Sequence, residues 1–170
     1  MTAKSRLSGL ATFNKQYGMY GAYQNHAGEL FGASVWDLWL ALKDLDPNYI
    51  GCQYDIRHAM VEGADTWPRS LELLRHHVRM FNIKDFEWQK VNGKWDAKSV
   101  PVGQGMVNFK KYLEVVKQYG FAGPVSMHYE YPLGGAEEGA RKLSISRHDF
   151  FNAVKRDLDL FKSMLRERDL

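Results

Sequence analysis

Four short runs of mostly apolar residues recur along the chain: GMYGAYQNH (18–26), IGCQYDI (50–56), VRMFNIKDF (78–86) and PVSMHYEY (124–131). Each ends in polar residues, and helical patterning lies between them. Apolar residues at helical spacing mark 3–17, closed by Gly18, and 34–45, opened by Ser34 as a possible N-cap. PRSLELLRHH (68–77) has Pro68 near its start, where proline is tolerated. NFKKYLEVVKQY (108–119) stops at Gly120, and 147–168 carries a last long helix. The segment 87–107, broken by Gly93, Gly103 and Gly105, reads as a long polar loop.

This order, a helix and then four strand–helix units, restricts the fold severely. Regular alternation calls for a parallel sheet with right-handed crossovers. Short, mostly apolar strands suit a sheet covered on both faces. The expected fold class is α/β, built of parallel (β/α) units. In such folds ligands bind beyond the carboxyl ends of the strands.

Composition excludes several alternatives. With 170 residues, 45% apolar and 25% charged, the chain reads as one globular domain over 1–170. The net charge is +3 and the basic residues are scattered, so no nucleic-acid stripe is formed. A single cysteine, Cys52, excludes a disulfide framework and a multi-cysteine zinc site. No apolar run is long enough for a bilayer, and the start MTAKSRLSGLATF lacks a signal-peptide apolar region. The expectation is a cytoplasmic protein with no membrane and no nucleic-acid partner.

The strand ends carry the chemistry: Gln24, Asn25, His26 and Glu29; Asp55 and His58; Asn82, Lys84 and Asp85; His128 and Glu130. On neighbouring strands these groups would meet at one rim. Carboxylates with imidazole suit a divalent metal or proton transfer. Plainer readings compete. Asp55 also fits a helix N-cap, and His58 a buried structural histidine. Glu130 fits a solvated loop carboxylate, and Lys84–Asp85 a surface ion pair. His76–His77 read as a helix-end cap, and Phe31, Trp36 and Trp39 read as core.

The blocks YQNHAGELF, Asp55-Ile56-Arg57-His58, Asn82-Ile83-Lys84-Asp85 and VGQGMVNFKKYLEVVKQYGFAGPVSMHYE, in this order, resemble the signatures of sugar phosphate isomerase/epimerase proteins, the xylose isomerase-like TIM barrels. The resemblance covers helix four and units five to eight, the C-terminal half of such a barrel, since a whole one needs roughly 250 residues. It implies a half-barrel that works as a homo-oligomer or with a missing N-terminal half.

What the resemblance implies for the site follows residue by residue. A divalent ion (Mn, Mg, Co or Zn) would be held by Asp55, Glu130, Glu29 and Asn82. Glu130 and Glu29 would shuttle a substrate proton through an enediolate. His58, His26, Lys84 and Asp85 would contact a small sugar-like substrate.

Two departures stand out. Where the family's E-N-H form has its glutamate this chain has Gln24, while the form with a later glutamate is matched by Glu29. The histidine of the H-x-K-D block is Asn82, a neutral and weaker ligand for transition metals, which points to weak or absent metal binding. A non-catalytic carbohydrate-binding or assembly subunit, and a lyase or dehydratase using the same enolate chemistry, are the alternatives. Abasic-site nucleases share the barrel, but no base-stacking pattern is present.

Overall fold

A computed structural model describes residues 2–170. Four strands, β1 (Gly21–Gln24), β2 (Ile50–Asp55), β3 (Val78–Ile83) and β6 (Val125–Met127), form one sheet in the order β1-β2-β3-β6. β1–β2 and β2–β3 are parallel, as the strand–helix alternation requires. The helices are α1 (Ala3–Gln16), α2 (Val35–Leu42), α3 (Ile56–Gly63), α4 (Trp67–Leu74), α5 (Phe109–Gln118) and α6 (Arg147–Arg166). None is long and apolar enough to cross a membrane. The chain divides into two compact units, Met1–Asn82 with Ala122–Ser126, and Ile83–Phe121 with Met127–Leu170.

In the first unit the strands show two faces. Cys52 and Tyr54 point one way and are fully buried. The Tyr54 hydroxyl donates to the carbonyl of Trp67 at 3.1 Å and meets Ser70 Oγ at 2.9 Å, so this face packs on α4. Leu38, Leu42, Leu71 and Leu74 complete that layer with no measurable exposure beyond 1%. Burying each such leucine stabilises the fold by about 1.5–3 kcal/mol relative to leaving it exposed. Gln53 and Asp55 point to the opposite face, because side chains alternate along a strand. A register shift between Cys52 and Gln53 then sets Asp55 beside Asn82 on β3.

The second unit has its own core, in which Phe109 on α5 meets Phe161 on α6 edge-on at 6.2 Å. Asn108 caps α5 by accepting from the Lys111 amide at 3.0 Å.

Several expectations need correction. The stretch 87–107 is not a loop throughout. β4 (Asp85–Val91) and β5 (Lys94–Val100) form an antiparallel hairpin. Its turn residues Asn92 and Gly93 have φ of 50° and 80°. Two consecutive positive φ values are the geometry in which Asn-Gly is favoured, and that turn matches the strand twist. A helix, α3, starts directly after Asp55, in the stretch between the expected strand 50–56 and helix 68–77, and Asp55 caps it as one of its two readings allows. The fourth strand is cut to three residues between Pro124 and the polar segment His128–Glu130.

Trp36 is exposed and not core, while Trp39 is half-buried with Lys43 Nζ 5.1 Å from its ring centre. Lys84 and Asp85 are no surface pair, being 2% and 1% exposed. Ser34 sits at the start of α2 in extended geometry but makes no side-chain cap.

Candidate functional site

Two polar clusters lie at the strand ends, one in each unit. The first is built around Asp55. Its backbone is clamped by Asn25, which follows β1. Asn25 Oδ1 accepts from the Asp55 amide at 2.8 Å, and Asn25 Nδ2 donates to the Asp55 carbonyl at 3.0 Å. Asn25 and Asp55 are both fully buried. The Asp55 carboxylate works in two directions. Oδ1 accepts from the His58 backbone amide at 3.2 Å and caps α3. Oδ2 accepts from Gln24 Nε2 at 2.8 Å. Asp55 is thus an N-cap and also part of a polar cluster, so the two readings of this residue hold together.

His58, on the first turn of α3, is 1% exposed. Arg57 contacts its Nδ1 at 3.0 Å, and a guanidinium offers only donors. Nδ1 therefore accepts, which leaves the ring proton on Nε2, 3.7 Å from Asp55 Oδ2. The His26 ring lies over His58 with centres 4.0 Å apart, and His26 is exposed. Gln53, at the register position of Gln24, donates from Nε2 to Asn82 Oδ1 at 2.6 Å. Asn82 Nδ2 is buried and has no hydrogen-bond partner among the described residues.

Glu29 is not brought to this cluster. It is exposed in the bend after β1, and the carboxylate that ties that bend is Glu62, whose Oε1 accepts from the Gly28 amide at 2.9 Å. Sequence reasoning missed Gln53 and Glu62. Gln53 was legible from alternation, two residues before Asp55 on the same face.

The second cluster pairs Lys84 with Glu130. Lys84 Nζ, on a side chain 2% exposed, donates to Glu130 Oε1 at 2.8 Å. His128 Nδ1 is 3.4 Å from the same oxygen. The His128 hydrogen bond and the Lys84 ammonium hold the Glu130 carboxyl down at about 2, against partial burial, which raises it.

Asp85 has a different task from the expected substrate contact. Its Oδ1 accepts from the amides of Phe86 (2.8 Å) and Val107 (3.1 Å), and its Oδ2 from those of Gly103 (2.9 Å) and Gly105 (2.9 Å). All four lone-pair directions go to backbone, so Asp85 organises the segment after β5. Gly105 is required there, because a Cβ would sit 2.3 Å from Asp85 Oδ1 and 2.4 Å from the Phe86 carbonyl oxygen.

A divalent ion in a fold of this kind needs several anionic or imidazole donors. Among the described residues, no three His, Cys, Asp or Glu side chains are grouped to hold one. Around Asp55, besides the His58 ring 3.7 Å from Oδ2, Gln24 directs an N–H at the carboxylate, and the Asn82 oxygen is taken by Gln53. This donor set does not fit a metal.

The chain is 22% identical to a D-tagatose 3-epimerase-like protein, with 96% of this chain and 53% of that one covered at a TM-score of 0.70. A xylose isomerase-like TIM barrel protein from Mycobacterium smegmatis in complex with magnesium is 15% identical, covering 96% of this chain and 50% of that one at 0.63. The D-allulose 3-epimerase from Methylomonas sp. in complex with D-allulose is 15% identical, covering 95% and 54% at 0.67. The chain thus spans about half the length of the solved structures it matches. No curated protein matches it. Residues 1–145 match the family described as "Xylose isomerase-like TIM barrel", and the parallel sheet has the corresponding strand–helix order. The chain belongs to the xylose isomerase-like TIM barrel family.

Proposed function

We propose that this chain carries sugar isomerase/epimerase-type chemistry, in which a proton is removed from and returned to a carbon beside a carbonyl. The observation that carries the reading is the Lys84–Glu130 pair, a carboxylate with a buried ammonium at 2.8 Å. The structural similarity to an epimerase bound to D-allulose supports a small, neutral, sugar-like ligand.

The chemistry assigns each group a task. A carboxyl held at about 2 is ionised at neutral pH but is a weak base. It strengthens when a substrate oxygen draws Lys84 and His128 away. The ammonium then faces the oxygen on which negative charge develops, and the carboxylate, freed of its donors, takes the proton. Charge stabilisation and base strength thus rise in the same step. Glu29, exposed on the bend after β1, is left out, and the proposal rests on Glu130. No step passes through a metal ion, because the donor set around Asp55 does not fit one.

The test is solvent exchange. D-allulose, D-tagatose and related ketoses are incubated with the full chain in D₂O, and deuterium at the carbon beside the carbonyl is followed by NMR. Exchange that falls by about 10²–10⁴-fold in Glu130→Gln supports the proposal. Ketose binding without exchange assigns the chain to carbohydrate binding alone. Loss of the carbonyl substrate to an unsaturated product assigns it to a lyase.

A further inference from the structure

The cluster around Asp55 raises a question that the family likeness does not answer. A buried carboxylate is costly unless its charge is met. In a metal site the ion meets it. Here the charge is met by N–H groups of the chain itself. Gln24 Nε2 is 2.8 Å from Oδ2, and the His58 amide is 3.2 Å from Oδ1. The Nε2–H tautomer of His58 adds a third donor dipole at 3.7 Å from Oδ2.

The second pair has the same character. Gln53 Nε2 occupies the Asn82 oxygen at 2.6 Å. What remains at Asn82 is Nδ2, a fully buried donor without a hydrogen-bond partner among the described residues. A leftover donor calls for a lone pair, from a water or a ligand oxygen. A cation offers none. Both amides therefore present the polarity opposite to that of a metal ligand.

We infer that this chain is metal-independent at Asp55, with the Gln24–Asp55 and Gln53–Asn82 hydrogen bonds standing where a divalent ion would otherwise balance the buried charge. The inference rests on the family reading of these strand ends. It does not rest on catalysis. It also makes a chemical statement about the ligand: an uncharged oxygen acceptor completes the Asn82 donor, as a hydroxyl or carbonyl of a sugar would.

The test uses thermal unfolding of the full chain after EDTA treatment, with and without about 1 mM Mn²⁺, together with elemental analysis. The natural chain is expected to retain no stoichiometric metal and to unfold at the same temperature in both conditions. In Gln24→Glu/Asn82→His the new carboxylate faces Asp55 and an imidazole replaces an amide. EDTA should lower its unfolding midpoint, and Mn²⁺ at about a hundred times its dissociation constant should raise it by about 5 °C or more.

A Mn²⁺ shift of that size in the natural chain overturns the inference. So does a folded double variant that ignores Mn²⁺, since the two amides would then not be the cause. Where the double variant does not fold, Gln24→Glu alone is scored in the same way, and the natural chain remains decisive. A metal-indifferent chain that exchanges no deuterium keeps this inference and loses the proposed function. A Mn²⁺-stabilised chain that exchanges deuterium does the reverse.

Discussion

Lys84 Nζ, on a side chain almost fully buried, lies 2.8 Å from Glu130 Oε1, whose side chain is 42% exposed. One partner has given up its water and the other has not. A buried ammonium without a counter-charge would lose its proton or destabilise the fold. Glu130 is therefore required by Lys84 more than the reverse. In Lys84→Met the Glu130 carboxyl should rise from about 2 toward its ordinary 4.5, limited by the remaining His128 bond. Carboxyl-carbon NMR titration reads this directly, and an unmoved Glu130 would assign the depression to His128.

The same pair sets a pH dependence. Folding lowers the Glu130 pKa, so its contribution is fully present above the unfolded value of about 4.5 and fades as pH falls toward 2. Unfolding midpoints of the natural chain and Glu130→Gln should differ at neutral pH and converge across that window. A gap that stays constant down to pH 2 would sink the assignment.

Asp85 should tolerate no amide. In Asp85→Asn one oxygen becomes an NH₂ that points at two backbone N–H groups, and two accepted bonds are lost. Bonds to a charged group contribute about 1.5–3 kcal/mol each, so a loss of about 3–6 kcal/mol is expected in denaturant unfolding. A loss below about 1 kcal/mol would mean that the segment after β5 is held by other contacts.

Asn25 carries both polar groups of the Asp55 peptide. Asn25→Ala leaves a buried N–H and a buried C=O without their partner, at about 1–3 kcal/mol each. The expected loss is about 3 kcal/mol, read by chemical denaturation. Asn25→Asp keeps the acceptor but turns the donor into an oxygen facing the Asp55 carbonyl and buries a second carboxyl, so it should lose at least as much as Asn25→Ala.

The hairpin turn predicts a milder effect. Gly93, at φ 80°, is open to solvent, with nothing within 4 Å of an added Cβ. Gly93→Ala is thus strained by conformation alone and should lose about 1 kcal/mol, with the Glu130 titration unchanged. A loss of several kcal/mol would show that the hairpin turn is tied to a core.

The hairpin has a legible signal in the sequence. Asn92-Gly93 between alternating residues is a strong short-range hairpin signature. The charged and amide residues between them mask the short apolar face formed by Phe86, Trp88, Ala97 and Trp95. Helix α3 is hidden for another reason. Its eight residues begin where β2 ends, so Asp55 serves as the end of a strand and the cap of a helix at once.

The order of the four sheet strands, the parallel sheet and the polar character of the strand ends were determined by sequence alone, because apolar periodicity and caps act over a few residues. The resemblance to the family had the same source, in blocks of motif that lie along one chain. Which polar group meets which was decided only by tertiary structure. Gln24 reaches Asp55 across 31 positions, Gln53 reaches Asn82 across 29, and Lys84 reaches Glu130 across 46. A carboxylate reads the same in sequence whether it faces an ion, an amide or four backbone N–H groups. Its partners are set by strand register and by burial, and these depend on the whole sheet.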